Sequence, residues 1–370
     1  MKIVIYDTEH FETTFAFSRV LDLPSNNLTF FVTKEVYQSL HENLGDEALK
    51  YTWFVKKESS IKFCYKLYKY CTKSNVDYLI FTTISYHHLL FGCMLYFLKI
   101  KSLLTIHDAN SFFQPDRLST LRGLLRDKGK KFLQKQITGY ISLLSSTKNY
   151  IVEKFSPPQP IYVIPGGIFQ VQKHKVLNQR FLNIVIPGAI EAKRRSYEQV
   201  IELLNILLQK YQGNFQFTIL GKPIGEYGDA ILQKINELEV LNYKIKTFDH
   251  FIPQHSYNYY LENADIIWAP LNCSFKAEDG VEKYGLSKSS GVFFDAIRYG
   301  KPLIIPGCIF VTQELRSQAI QYSSIHDLAT LFIKLAEDEM FLNNITETAE
   351  KNAADFIPGK IRSTLFFLNN

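Results

Sequence analysis

The chain of 370 residues is short of several things that would have settled its class at once. It has only 5 cysteines, an odd number (Cys64, Cys71, Cys93, Cys273 and Cys308), and none at a metal-binding spacing. That argues against a structural zinc site and reads as reduced, mostly buried thiols of a cytoplasmic protein. No apolar run approaches the ~20 residues of a bilayer-spanning helix. The most apolar stretch, 89–104, is broken by Lys99 and Lys101 and is expected to be a buried helix running into a buried strand. The apolar run Lys2-Ile3-Val4-Ile5-Tyr6 reads as a strand, and no signal peptide is expected. No repeat is visible, so a solenoid is not expected. An Asp-rich metal motif is also missing, and His87-His88 lacks the carboxylates a metal site would add, so no metal is expected. The formal charge of +6 is too diffuse to point to nucleic acid, though it suits an anionic ligand or an acidic membrane surface.

The composition itself is that of a folded protein, 46% hydrophobic and 21% charged. The 22 tyrosines and 29 phenylalanines, beside 3 methionines, read as a coding bias without mechanistic meaning. The length exceeds what one core usually supports, so two domains are expected. β-rich runs alternate with helical periodicity throughout, the signature of parallel sheets covered on both faces. In the first half, strands are expected at 2–6, 28–32, 51–54, 78–82, 102–106, 139–144 and 161–164, with helices between them. A polar stretch at 170–179 reads as a linker. The alternation then restarts, with strands at 182–186, 216–220, 243–248, 265–269 and 303–305. The expected division is 1–170, 171–355, and a terminal segment 356–370 packing back on the first domain.

In open α/β sheets ligands sit beyond the carboxyl ends of the strands. That rule selects three loops in the first half: Asp7-Thr8-Glu9-His10, 83–88, and His107-Asp108-Ala109-Asn110-Ser111. His107-Asp108 is either a reactive pair or a loop histidine bonding locally, and Glu9 and His10 are either site residues or ordinary helix-start residues. A basic run, Arg117, Arg122, Arg126, Lys128, Lys130, Lys131 and Lys135, is interleaved with Leu118, Leu121, Leu124, Leu125, Phe132 and Leu133. Two readings stand: a helix lying on an anionic bilayer, or the commoner solvated basic face over the protein's own core.

The second half carries phosphate chemistry after every strand. Pro187-Gly188-Ala189 permits close backbone approach and is followed by Lys193-Arg194-Arg195; adjacent arginines suit bidentate phosphate binding, though such triplets are often plain surface. Gly221-Lys222-Pro223, then Asp249-His250-Phe251-Ile252-Pro253, then Ala269-Pro270-Leu271-Asn272 occupy the corresponding loops. Ser287-Lys288-Ser289-Ser290-Gly291 opens a helix that Gly300 and Pro302 stop. A helix start of this kind is an anion site, because free amides and the positive dipole end coincide.

These landmarks, in this order, resemble the retaining nucleotide-sugar glycosyltransferases of the GT-B fold, in particular the family-four group that builds bacterial surface polysaccharides. The resemblance spans about 182–306, and more loosely the first half through His107-Asp108 and Val163-Ile164-Pro165-Gly166-Gly167. It implies two Rossmann-like domains facing across a cleft, the first on the acceptor side and the second on the donor side. It also implies Gly188, Arg194, Arg195 and Lys222 at the donor diphosphate, Phe251 and Ile252 at the nucleobase, and Lys288, Ser289, Ser290 and Gly291 as a phosphate grip. Asp295 would hold the ribose. The family usually has two glutamates eight positions apart; here the second is Asp295 and the first is Ser287, which offers no carboxylate. Glu278, Asp279 and Glu282 are candidates to replace it.

The implied reaction transfers a sugar from a nucleotide-diphosphate donor to a lipid-linked or polysaccharide acceptor, with retention, without a cofactor, at the inner face of the cell membrane. If the enzyme inverts, a base comes from the first domain, with Glu9, His10 and Asp108 as candidates. A nucleotide-sugar epimerase and a non-catalytic binding relative are the alternatives.

Overall fold

The computed structural model describes residues 1–115, 120–170, 181–211, 214–238, 243–277 and 280–365. The expected linker falls almost wholly outside these residues, as do Arg117, Leu118, Glu278 and Asp279. The first half alternates β1 (Lys2–Asp7), α1 (Phe11–Leu21), β2 (Asn27–Val32), α2 (Lys34–Leu44), β3 (Thr52–Val55), α3 (Ser60–Lys73), β4 (Tyr78–Phe81), α4 (His88–Leu98), β5 (Lys101–Ile106), α5 (Ala109–Phe113), α6 (Leu121–Gln136), β6 (Gly139–Ser142), α7 (Ser145–Phe155) and β7 (Ile161–Val163). The second half continues with β8 (Leu182–Pro187), α8 (Glu198–Lys210), β9 (Phe215–Leu220), α9 (Gly225–Asn236), β10 (Tyr243–Lys246), α10 (Gln254–Glu262), β11 (Ile266–Trp268), β12 (Ser274–Ala277), β13 (Gly280–Lys283), α11 (Gly291–Tyr299), β14 (Leu303–Pro306) and β15 (Ala319–Tyr322). Helices α12 (Ile325–Glu337), α13 (Glu339–Ala353) and α14 (Pro358–Ser363) close the chain.

Strands such as Tyr78-Leu79-Ile80-Phe81 and Leu303-Ile304-Ile305-Pro306 are buried along their whole length, as strands covered on both faces must be. Seven of them form a sheet in the order β3-β2-β1-β4-β5-β6-β7, and six form a second in the order β10-β9-β8-β11-β14-β15. All pairings within both are parallel. In each sheet the order reverses beside the first strand of the half, at β1/β4 and at β8/β11, and such switch points open crevices at the strand ends. The antiparallel hairpin β12–β13 and the edge strand β15 are additions to the expected elements.

The halves are fastened by polar contacts. Hairpin β12–β13 and the segment after it dock on the start of α5: Ala109 N donates to Ser287 O at 2.9 Å, Ser111 N to Glu282 Oε1 at 2.7 Å, and Asn110 Nδ2 to Val281 O at 2.9 Å. Ser145 N and Oγ both donate to Glu314 Oε1, at 2.6 and 2.5 Å, and Ser146 Oγ donates to Gly285 O at 2.6 Å. Elsewhere Arg298 Nη2 donates to Asn43 Oδ1 at 2.6 Å and its guanidinium lies 4.9 Å from the Phe15 ring centroid. Ile361 of α14 and the following Leu365 join the apolar cluster that contains Phe15, Phe17 and Val20 of α1.

One expectation is overturned. Cys273 and Cys308 are joined in a disulfide; Cys64, Cys71 and Cys93 are free, and Cys93 is exposed. The two bonded residues are 35 apart in sequence, but each follows one of the adjacent parallel strands β11 and β14, whose carboxyl ends emerge side by side. With that bond in place the cysteines no longer argue for a reducing compartment.

Candidate functional site

A cavity of about 680 Å³ lies between the two halves, within the range of small-molecule sites. It collects strand-end loops from both sheets. From the first come Glu9, His10, Thr83, Ser85, His107 and Asp108; from the second come Gly188, Arg194, Arg195, Lys288, Ser289, Ser290, Gly291 and Asp295. Lys222, Phe251 and Ile252 are outside the lining. The segment carrying Lys222 bonds instead to the backbone beyond Gly188, with Ile190 N donating to Lys222 O at 2.9 Å. Phe251 is exposed and Ile252 is buried in the apolar cluster beside α10.

The β8 turn places the main cation. Gly188 has φ of +107°, and a Cβ there would stand 2.2 Å from Arg195 Nη2, so only glycine lets the guanidinium lie across the turn. Tyr197 OH donates to Gly188 O at 2.7 Å and braces the turn from behind. Arg195 is 9% exposed, and its Nε has no hydrogen-bond partner among the described residues. A buried guanidinium with an unused donor beside a cavity calls for an anion. Arg194 is a weaker candidate: it is half exposed and pairs with Glu191 at 3.1 Å.

The start of α11 faces the same space. Ser290 makes no side-chain cap bond, and nothing lies within 4 Å of where a Cβ on Gly291 would sit. Phe293 N already donates to Ser290 O at 3.0 Å, so the capacity for an anion lies with the amides of Gly291 and Val292. One turn further on, Asp295 accepts from Tyr257 OH at 2.9 Å. Burial pushes its carboxyl up to about 6, against the opposing pull of the Tyr257 bond, Arg298 and Arg195.

Lys288 donates to the carboxylate of Asp108 and lies 4.8 Å from the Phe275 ring centroid. Asp108 is thus held in an ion pair across the cleft and is not a free base. Ser287 sits in the docking contact instead of the cavity: its Oγ accepts from Lys283 N at 2.9 Å and from Asn110 Nδ2 at 3.3 Å. Glu282 does not reach the cavity either, because it is fully buried against Ser111.

His107 Nε2–H donates to Thr82 O at 2.7 Å, which leaves Nδ1 bare, and its ring stacks on His10 at 4.3 Å. Burial and then His10 lower its pKa to about 3, so it is a neutral hydrogen-bonding group rather than an effective base. Glu9 accepts from Ser85 Oγ at 2.7 Å.

The residue that sequence reasoning missed is Glu12, in the first turn of α1. Acidic residues there are routine, so nothing in the local pattern marks it. It retains solvent-accessible surface because it lines the cavity, yet it lies deep in the cleft. Burial first, then Asp295 and Asp7, raise it to about 7 despite Arg298. That value suits proton transfer near neutral pH.

The sign of the pH dependence follows. Glu12 and Asp295 rise from 4.5 and 3.8 to about 7 and about 6, so the folded state favours their protonated forms. The stability they contribute is complete below their ordinary values and is lost as pH rises through 6 to 7. The Glu12→Gln/Asp295→Asn double variant is expected to gain stability over the wild type progressively from pH 5 to 8 in denaturant titrations. A constant difference across that range would show that neither carboxyl is shifted.

Two facing Rossmann-like sheets with a ligand cavity between their strand ends define the GT-B fold. Among solved structures, the chain is similar to Anabaena HepE in complex with UDP, at 14% identity and TM-score 0.64 over 98% of each chain. It is also similar to sucrose-phosphate synthase from Thermosynechococcus elongatus, at 12% identity and TM-score 0.63 over 100% of this chain and 98% of that one. UDP-GlcNAc 2-epimerase from Neisseria meningitidis bound to UDP-GlcNAc follows, at 11% identity and TM-score 0.57 over 100% and 99%. No family model matches the sequence, and no curated protein matches it.

Proposed function

We propose that the protein is a glycosyltransferase that moves a sugar from a nucleoside-diphosphate donor to a glycan or lipid-linked acceptor. The observation that carries this is Arg195, a buried guanidinium with an unused donor, laid across Gly188 at the β8/β11 switch point. The donor diphosphate takes the space between Arg195 and the first turn of α11, where charge developing on the leaving group meets a fork of N–H donors and backbone amides. Asp295, held by Tyr257, takes the ribose hydroxyls. With Ser287 withdrawn into the docking contact and Asp108 neutralised by Lys288, the sugar side of the cleft offers Glu12, Glu9 and neutral His107. Retention follows if the leaving phosphate guides front-face attack; inversion would use Glu12 as base.

That the folds bound to UDP and UDP-sugars share this architecture supports the donor class and makes UDP the first probe. Incubation with a panel of radiolabelled nucleotide sugars is expected to show slow hydrolysis of one donor, with UDP binding in calorimetry. Interconversion of the sugar without acceptor would make the protein an epimerase. Binding without turnover would make it a non-catalytic relative.

A further inference from the structure

The bond between Cys273 and Cys308 lies where a redox change would be felt by the cavity. Both cysteines are exposed, unlike the strand ends they follow: Ala269 and Leu271 are buried ahead of Cys273, and Ile305 and Pro306 ahead of Cys308. An exposed disulfide is open to attack by a thiolate and belongs to the labile class from which regulatory bonds are drawn.

Its two ends are held differently. The Cys308 end is pinned to the sheet edge: Gly307 N donates to Tyr322 O at 2.8 Å, Ile309 N to Pro306 O at 3.0 Å, and Gln321 Nε2 to Gly307 O and Ile309 O at 3.1 and 2.8 Å. The Cys273 end is where two parts of the cavity wall meet. Just ahead of it, Ser196 N donates to Pro270 O at 2.9 Å, Asn272 N to Arg194 O at 3.0 Å, and Asn272 Nδ2 to Ala192 O at 2.8 Å. Residues 270–272 thus support the loop that carries Arg194 and Arg195. Just after Cys273 begins hairpin β12–β13, whose Phe275 lines the cavity. Lys193 Nζ and Lys288 Nζ each lie 4.8 Å from the centroid of that ring, and the Arg194 guanidinium lies 5.6 Å from it. Cys273 is therefore the joint between the support of the arginine loop and the ring around which these cations gather, and the disulfide fixes that joint to β14 and β15.

We propose that Cys273–Cys308 is a thiol–disulfide exchange site that sets how firmly the cavity holds an anion. A dithiol is the reductant. One of its thiolates attacks a cysteine sulfur, the S–S bond breaks, and the other cysteine leaves as a thiolate; the second thiolate of the reductant then attacks the mixed disulfide and releases the first cysteine. The reductant departs as a disulfide, and its protons pass to the cysteine thiolates. Reduction unpins Cys273 from the sheet edge. The support at 270–272 and the hairpin then move more freely, and ordering Arg195 and the cations around Phe275 for a ligand costs more. The strands keep their ladders and burial, so the fold persists. That the anion is the donor diphosphate rests on the transferase reading; the exchange and the loosening do not.

The test compares the full chain oxidised, reduced with dithiothreitol, and reoxidised with glutathione disulfide. Alkylation by iodoacetamide, read by mass spectrometry, is expected at Cys93 before reduction and at Cys93, Cys273 and Cys308 after it, since Cys64 and Cys71 are buried. In calorimetry, reduction is expected to weaken UDP binding by about fivefold or more, and reoxidation to restore it. This comparison is made on the wild type and does not depend on a variant folding. Cys273→Ser/Cys308→Ser is expected to bind UDP like the reduced chain and to ignore dithiothreitol, whereas Cys93→Ser keeps the wild-type response. Hydrogen exchange, which needs no ligand, is expected to quicken on reduction at 192–195 and 270–277 while β8 and β14 stay protected. Equal UDP affinity in the oxidised and reduced chains, unchanged exchange in both segments, or a bond that dithiothreitol leaves intact in the folded chain would overturn the proposal. So would a response to dithiothreitol that persists in the double variant. Failure of the oxidised chain to bind UDP would count against the transferase reading, and quickened exchange on reduction would then still support the redox-controlled joint.

Discussion

Arg195→Ala is expected to weaken UDP binding by about 100-fold or more, measured by calorimetry, while Arg194→Ala costs less than about tenfold. The contrast follows from burial. Arg194 is half exposed, already engaged by Glu191, and screened by water. Arg195 is buried with an unused donor, so its pairing with a diphosphate takes place out of bulk solvent. Losing one member of such a charged, hydrogen-bonded pair costs roughly 2–5 kcal/mol, about 30-fold to several thousandfold in affinity. Arg195→Lys keeps the charge without the planar fork and should recover only part of the loss. Unchanged affinity in Arg195→Ala, with a normal melting curve, would remove the diphosphate from this position.

The second large effect is expected at Gly188, which touches no ligand in this scheme and acts through Arg195. Alanine there must adopt φ near +107° with its Cβ inside the guanidinium. The backbone strain alone is on the order of 1–3 kcal/mol. Displacement of Arg195 adds a loss of UDP affinity similar to that of Arg195→Ala. Because both substitutions remove the same interaction, Gly188→Ala/Arg195→Ala is expected to bind UDP no worse than about either single variant. Additive losses in that cycle would mean that Gly188 and Arg195 serve the ligand independently.

The features legible in the sequence were those written locally. Continuous apolar runs such as Ile80 and Ile304 with their neighbours mark doubly covered parallel strands, and Gly188 and Gly300 punctuate a turn and a helix end. The rule that ligands gather at strand ends then brings His107, Asp108, Arg195 and Ser290 to one cavity before any coordinate is known. What stayed hidden depends on contacts between distant segments. Asp108 looks like a free carboxylate until Lys288, 180 positions away, closes on it. Ser287 looks like a lost catalytic position until its hydroxyl is seen bonded to Lys283 and Asn110. Glu12 looks like a helix-start acid until the fold sets it in the cleft near Asp295 and Asp7, where burial and those carboxylates raise its pKa. The leucines of α6 have helical periodicity whichever way they face, so only the position of Gly129 against α4 shows that Leu121, Leu124 and Leu125 are outside. Helix α4 likewise exposes Leu89, Cys93, Tyr96 and Phe97, so the expected burial of 89–104 holds only for its inner face and for most of β5.

The bond between Cys273 and Cys308 has a consequence for the unfolded chain. It closes a loop whose ends are 35 residues apart, and that loop contains hairpin β12–β13, Lys288, the start of α11, Asp295 and Arg298. In a chain-entropy account, closing a loop of this length removes freedom from the denatured ensemble worth roughly 3–4 kcal/mol. In the oxidised unfolded chain, most of what the second half contributes to the cavity lining is therefore held within one covalent ring.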